Sequence, residues 1–102
     1  MTPQQQRIAI AEACGWKWEI LWTGRLHGKP HGEQGPFREV PDYLNDLNAM
    51  HEAQKVLTGE QVAAYVTTLC LAVQPEPMLH AATAAERAEA FLRTIGKWEE
   101  AL

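Results

Sequence analysis

Apolar and polar positions recur along this chain with two different periods, and the changes between them divide it into elements. From Thr2 to Cys14 the period is helical, with Ile8, Ile10, Ala11 and Cys14 on a broad apolar arc opposite Gln5 and Glu12. Thr2, Pro3 and Gln5 supply an N-cap, a proline at the first helical position and a capping-box partner, and Gly15 supplies a stop. A helix is expected over about residues 3 to 14. The period then falls to two: Trp16, Trp18, Ile20 and Trp22 alternate with Lys17, Glu19, Leu21 and Thr23. This predicts a strand carrying three indoles on one face, the natural filling between a small sheet and its helices. From Gly24 to Pro36 there are four glycines and two prolines and no period, which predicts a long loop. Phe37 to Val40 reads as a short second strand, making that loop the tip of an antiparallel hairpin.

The helical period returns over Pro41 to Leu57. Leu47, Met50, Ala53 and Leu57 fall on one arc and Asn45, Asn48, Glu52 and Lys55 on the other, so a helix is expected across the stretch. Two residues break the pattern, because Asp46 and Gln54 are aimed at the apolar side and therefore need partners or a job. Thr58 and Gln61 repeat the capping-box spacing and open a third helix, striped by Val62, Val66, Leu69, Cys70 and Val73 and ended by Pro75 and Pro77. No charged residue occurs from Gln61 to Gln74, and Ala64, Thr67, Thr68 and Leu71 form an uncharged outer face. Either this helix is wrapped on both sides within one chain, or that face is a self-association surface in a two-fold dimer. Thr83 and Glu86 cap a fourth helix whose apolar side is Ala84, Ala88, Phe91, Leu92 and Ile95, with Glu89 and Arg93 paired on the other. Gly96 stops it, and Trp98 is expected to pack back as a clasp.

A chain of 102 residues, 46 % hydrophobic, supports one core, so residues 1–102 are read as a single α+β domain: a two- or three-stranded antiparallel sheet layered with about four helices. The expected packing puts the tryptophan face on the second and fourth helices. A net charge of −4 disfavours nucleic-acid binding. No secretory signal or membrane-length apolar run is present, which places the expectation in the cytoplasm and away from membranes. Cys14 and Cys70 lie in helical patterns without metal-ligand spacing and read as buried free thiols.

Motifs for chemistry mostly fail. His51-Glu52 lacks the second histidine of a zinc-protease helix, because Lys55 stands there. Gly24 to Lys29 lacks both the spacing and the hydroxyl residue of a phosphate loop. His27 and His31 sit in a glycine-rich stretch that does not fix a metal geometry, so no metal and no cofactor are expected. The chain contains no serine, which removes serine-nucleophile chemistry. Two groups of candidate binding residues are left: Asp42, Asn45, Asp46 and His51 on the second helix, and the cations Arg25 and Lys29 in the loop. The first group reads either as an acid–base site using Asp46 and His51, or as a structural set in which Asp46 caps backbone amides or accepts from Arg87. The structural reading carries more weight. The second group would hold a small anionic ligand.

Four blocks of sequence carry a resemblance: Gly15-Trp16, PDYLNDLNAMHEA from Pro41 to Ala53, Leu57-Thr58, and ATAAERAEAFLRTIGKWEE from Ala82 to Glu100. On these the chain resembles the phage ABA-sandwich domain family of small bacteriophage and prophage proteins. The resemblance implies a helix–sheet–helix layering, a phage-infected or lysogenic bacterial host and no assigned activity. The segment from Gln74 to His80 is shorter than the family pattern, which leaves any additional strand there open. The functional expectation is a phage accessory protein that acts by binding a protein, in its specific form a host or antiviral defence protein. The alternatives are a small acid–base enzyme using Asp46 and His51, or a sponge for a small anion at Arg25 and Lys29.

Overall fold

The computed structural model describes residues 1–30, 38–72 and 82–100. In chain order its elements are α1 (Pro3–Ala13), β1 (Lys17–Ile20), β2 (Leu26–Lys29), β3 (Arg38–Glu39), α2 (Leu47–Gln54), α3 (Gly59–Ala72) and α4 (Ala84–Thr94). Among the described residues this is an α+β fold of four helices and one antiparallel sheet of order β1-β2-β3. The continuation of the third-helix stripe to Val73, its end at Pro75 and Pro77, the segment Gln74 to His80, His31 and the start of the short strand at Phe37 lie outside the described residues.

The three capping boxes form as the sequence spacing requires. Thr2 with Gln5, Thr58 with Gln61 and Thr83 with Glu86 each exchange backbone and side-chain hydrogen bonds of 2.8–3.2 Å. Each satisfies two of the amide donors that a helix start leaves without partners.

The sheet departs from expectation. The segment from Gly24 to Pro36 contains a strand, β2, which pairs β1 with Trp18 opposite Gly28 and Ile20 opposite Leu26. The connection is a tight turn in which Gly24 takes φ +84 and Leu21 and Arg25 close the hairpin at 2.9 Å. Periodicity missed β2 because Leu26 is its one large apolar side chain, and its other inward position is Gly28. That glycine is required: a Cβ there would lie 2.3 Å from the carbonyl oxygen of Lys17 and 2.9 Å from Cα of Trp18. Because the turn begins immediately after β1, Trp22 cannot join the indole face, and it stands 97 % exposed. Two indoles are left. Trp16 and Trp18 pack at the edge of the core, and Trp18 donates its indole N–H to Glu12 of α1 at 2.9 Å. The helix laid on β1 is therefore α1, rather than the second and fourth helices.

The second helix also starts later than its pattern implies. Pro41 to Asn45 turns instead, with the amides of Asn45 and Asp46 donating to the carbonyl of Asp42 at 3.1 and 2.9 Å. Asp46 then adopts an extended conformation and caps α2, its Oδ1 accepting from the amides of Asn48 and Ala49 at 2.9 and 3.2 Å. The charge placed on the apolar arc by the helical pattern is the start signal of a shorter helix. Gln54, the other intrusion, accepts from the Tyr65 hydroxyl of α3 and from Arg87 of α4.

The main core joins Ile10 and Ala11 of α1, Leu26 of β2, Val40, Tyr43, the α2 residues Ala49, Met50 and Ala53, and the α4 residues Ala84, Ala88, Phe91 and Leu92. A smaller cluster of Tyr65, Leu69, Ala82 and Ala90 seats α3 on α4. The α3 stripe is thus rotated from its expected position: Tyr65 and Leu69 are buried, while Val62 and Val66 are 44 % and 40 % exposed. The tyrosine wins the inward position because it supplies more apolar area than valine and its hydroxyl finds Gln54. The tail clasp forms, with Trp98 against the core and Arg93 5.1 Å from its ring centre.

Gly28→Ala should lower stability by about 1–3 kcal/mol, the cost of forcing atoms into a filled space, here worsened because the obstacle is backbone. Chemical denaturation measures it, and an unchanged midpoint would show that β1 and β2 are less closely apposed.

Candidate functional site

The candidate residues from the sequence are divided among three places. Asp42 and Asn45 come together in the turn before α2, where the Asn45 amide donates to Oδ2 of Asp42 at 3.0 Å. Asp46 is committed to its cap. His51 is exposed on α2, and no hydrogen bond joins it to Asp46. The two do not share either of the clefts described below. Arg25 and Lys29 are exposed at opposite ends of β2, about 13 Å apart at the rise of an extended strand, so they do not converge. Of the uncharged set on α3, Ala64, Thr67 and Leu71 are exposed and Thr68 is half-buried, with both threonine hydroxyls donating back to the carbonyls of Ala63 and Ala64.

A residue outside that set organises the cleft at Asp42. Arg7 of α1 donates from Nε to the Pro41 carbonyl at 2.9 Å and from Nη2 to the Val40 carbonyl, and it lies 3.8 Å from the Glu39 carboxylate. One guanidinium thereby holds the chain where it leaves the sheet, and its planar fork suits two successive carbonyls. The signal was available in the sequence, because Arg7 precedes Ile10 and Ala11 by three and four residues and so shares their buried face. Around it lies a cleft of about 500 Å³, walled by Pro3, Gln4 and Arg7 of α1, Gly24 and Leu26 of the hairpin, Asp42, Leu44 and Asn45 of the turn, and Ala85 of α4.

A second cleft, of about 410 Å³, has Cys14, Trp16, Arg38, Tyr43 and Glu52 among its walls. Tyr43 is buried against the Cys14 thiol, with Trp16 in the same cleft wall. Burial, then the neighbouring thiol, push the Tyr43 hydroxyl above its usual range. Burial likewise raises the Cys14 thiol, which keeps it protonated and slow as a nucleophile. Neither Cys14 nor Cys70 forms a disulfide, and both are half-buried rather than fully enclosed. Among the described residues no three histidine, cysteine, aspartate or glutamate side chains meet as a metal site would need, and no helix is long and apolar enough to cross a membrane. Comparison with protein-family models, with curated proteins and with solved structures finds no match.

Two measurements test this geometry. Asp46→Ala should cost about 1 kcal/mol through loss of the helix cap, and an unaltered melting temperature would remove the capping role. For Tyr43 and Cys14 the neutral forms are favoured in the folded chain, so their folded pKa values lie above the unfolded ones, near 10.0 and 9.0. Their contribution is complete below that range and is lost as pH rises through it. Stability should fall on going to alkaline pH, and Tyr43→Phe should flatten the slope; an identical slope in the variant would contradict the assignment.

Proposed function

We propose that this chain is a bacteriophage or prophage accessory protein that works by binding another protein in the cytoplasm of the host bacterium, and that the outer face of α3 is its binding surface. One observation carries the reading. Leu71 is 67 % exposed on α3, which carries no charged residue after Glu60 in its first turn, and Val62 and Val66 on another side of the helix are also substantially exposed. An isolated exposed leucine is ordinary, but an uncharged helical face of this length on a protein of net charge −4 is a surface that water covers poorly. From Gln61 onward it is also a face where two copies approach without like-charge repulsion. In the resting protein a second copy occupies it, with Leu71 near the two-fold axis and Ala64 and Thr67 allowing close approach. The target we favour is a host or antiviral defence protein, a role that suits a small acidic phage product and rests on the resemblance of the Pro41–Ala53 and Ala82–Glu100 blocks. Catalysis by Asp46 and His51 has less support, because the cap holds one carboxylate oxygen and the imidazole lies apart from both clefts.

Leu71→Glu tests the surface. Light scattering should report a dimer for the wild type and a monomer for the variant, with the melting temperature nearly unchanged because the position is exposed. A wild type that stays monomeric at high concentration would overturn the dimer. Pull-down from infected cells with each form should recover a partner with the wild type only; equal recovery by both would move the binding surface away from α3.

A further inference from the structure

The cleft beside Arg7 is a second surface feature, independent of α3, and its chemistry is specific. Four segments distant in sequence build it, and its volume of about 500 Å³ falls within the range of small-molecule sites. Its apolar wall comes from Leu26, Leu44 and Ala85. Two opposite charges line it, Arg7 and Asp42, yet among the described residues they form no ion pair with each other. Arg7 spends Nε and Nη2 on the Pro41 and Val40 carbonyls, which leaves Nη1 without a hydrogen bond to the described residues. Asp42 accepts one bond, from Asn45 at Oδ2, and has Oδ1 in reserve. The side-chain amides of Gln4 and Asn45 also line the cleft, as groups able to donate or accept.

A lone anion entering this cleft meets the Asp42 carboxylate, and a lone cation meets the Arg7 guanidinium. A molecule carrying both charges satisfies both. We propose that the cleft binds a small zwitterion with an ammonium and a carboxylate, the chemistry of a free aliphatic α-amino acid. The ammonium donates to Oδ1 of Asp42, the carboxylate accepts from Nη1 of Arg7, and the aliphatic side chain lies against Leu26, Leu44 and Ala85. Each polar contact is charge-assisted, which makes the loss of either one measurable.

The test is titration of the isotope-labelled full chain with leucine, followed by NMR at the backbone amides. Shifts should cluster at Gln4, Gly24, Leu44, Asn45 and Ala85 and give a Kd in the millimolar range or tighter. N-acetyl-leucine lacks the ammonium and leucine amide lacks the carboxylate, so each should bind about tenfold more weakly or worse. Asp42→Asn should erase the preference for leucine over N-acetyl-leucine while keeping the dispersed spectrum of a folded protein. Should that variant unfold, the two blocked ligands on the wild type decide the matter alone. Equal binding of blocked and free leucine, shifts confined to other surfaces, or no shift up to about 50 mM would overturn the proposal.

Discussion

The structure depends on how closely other helices can approach α4. Three of them pack on it, and this is geometrically feasible because most of its buried positions are alanines. Ala84 and Ala88 face the main core with Phe91 and Leu92, while Ala90 turns toward α3. Two large side chains fill the centre and the small ones admit the neighbouring backbones. Enlarging any of these alanines would push a whole helix outward rather than displace one side chain, since the interior is close-packed.

Packing so tight leaves little room for polar groups, and the fully buried set among the described residues contains no charged side chain. The polar residues that face inward are handled at the seams between elements. Arg7 spans from α1 to the strand exit, and Gln54 joins Tyr65 to Arg87 where α2, α3 and α4 meet. Each turns a residue with the wrong polarity for its helical face into a link between elements. Such links are directional where apolar contact is not, so they set which way the helices face, while burial supplies most of the stabilisation.

This division explains what could be read from the chain. Elements fixed by local rules were legible: the three capping boxes, the stops at Gly15 and Gly96, the apolar side of α4 and the Glu89–Arg93 pair at 3.2 Å. Elements fixed by distant contacts were not. β2 exists because its backbone pairs with β1 and because Gly28 lets Lys17 come close, and neither leaves a trace in hydropathy. The α2 start was misplaced for a related reason, since a run of turn residues from Asp42 to Asn45 can be written on a helical wheel as easily as a helix can. The turn wins because Asp42 accepts from both Asn45 and Asp46 and because Arg7 holds the preceding carbonyls. Of the candidate site residues, Asp42 and Asn45 share a cleft, and its organising cation, Arg7, comes from the first helix, where helical periodicity marks only a place on the buried face.

The position of α3 links the fold to the functional reading. A single core in a chain of this length encloses a limited number of elements, and here α1, α2, the sheet and α4 already close around it. α3 is left outside, with Tyr65 and Leu69 as its large buried side chains. A 14-residue helix is marginal in water on its own and takes most of its stability from the face it buries. The seam with α4 covers one side, and on the opposite side, after Glu60 in the first turn, the sequence carries no charge that would hold water there. A helix meant to remain solvated would carry Glu and Lys at those positions, as α4 carries Glu89 and Arg93 on its own outer face. With one side seated on α4 and Leu71 exposed on the other, α3 would gain stability from a partner that covered its outer face. Under the proposed function, binding at that face would also complete the enclosure of α3.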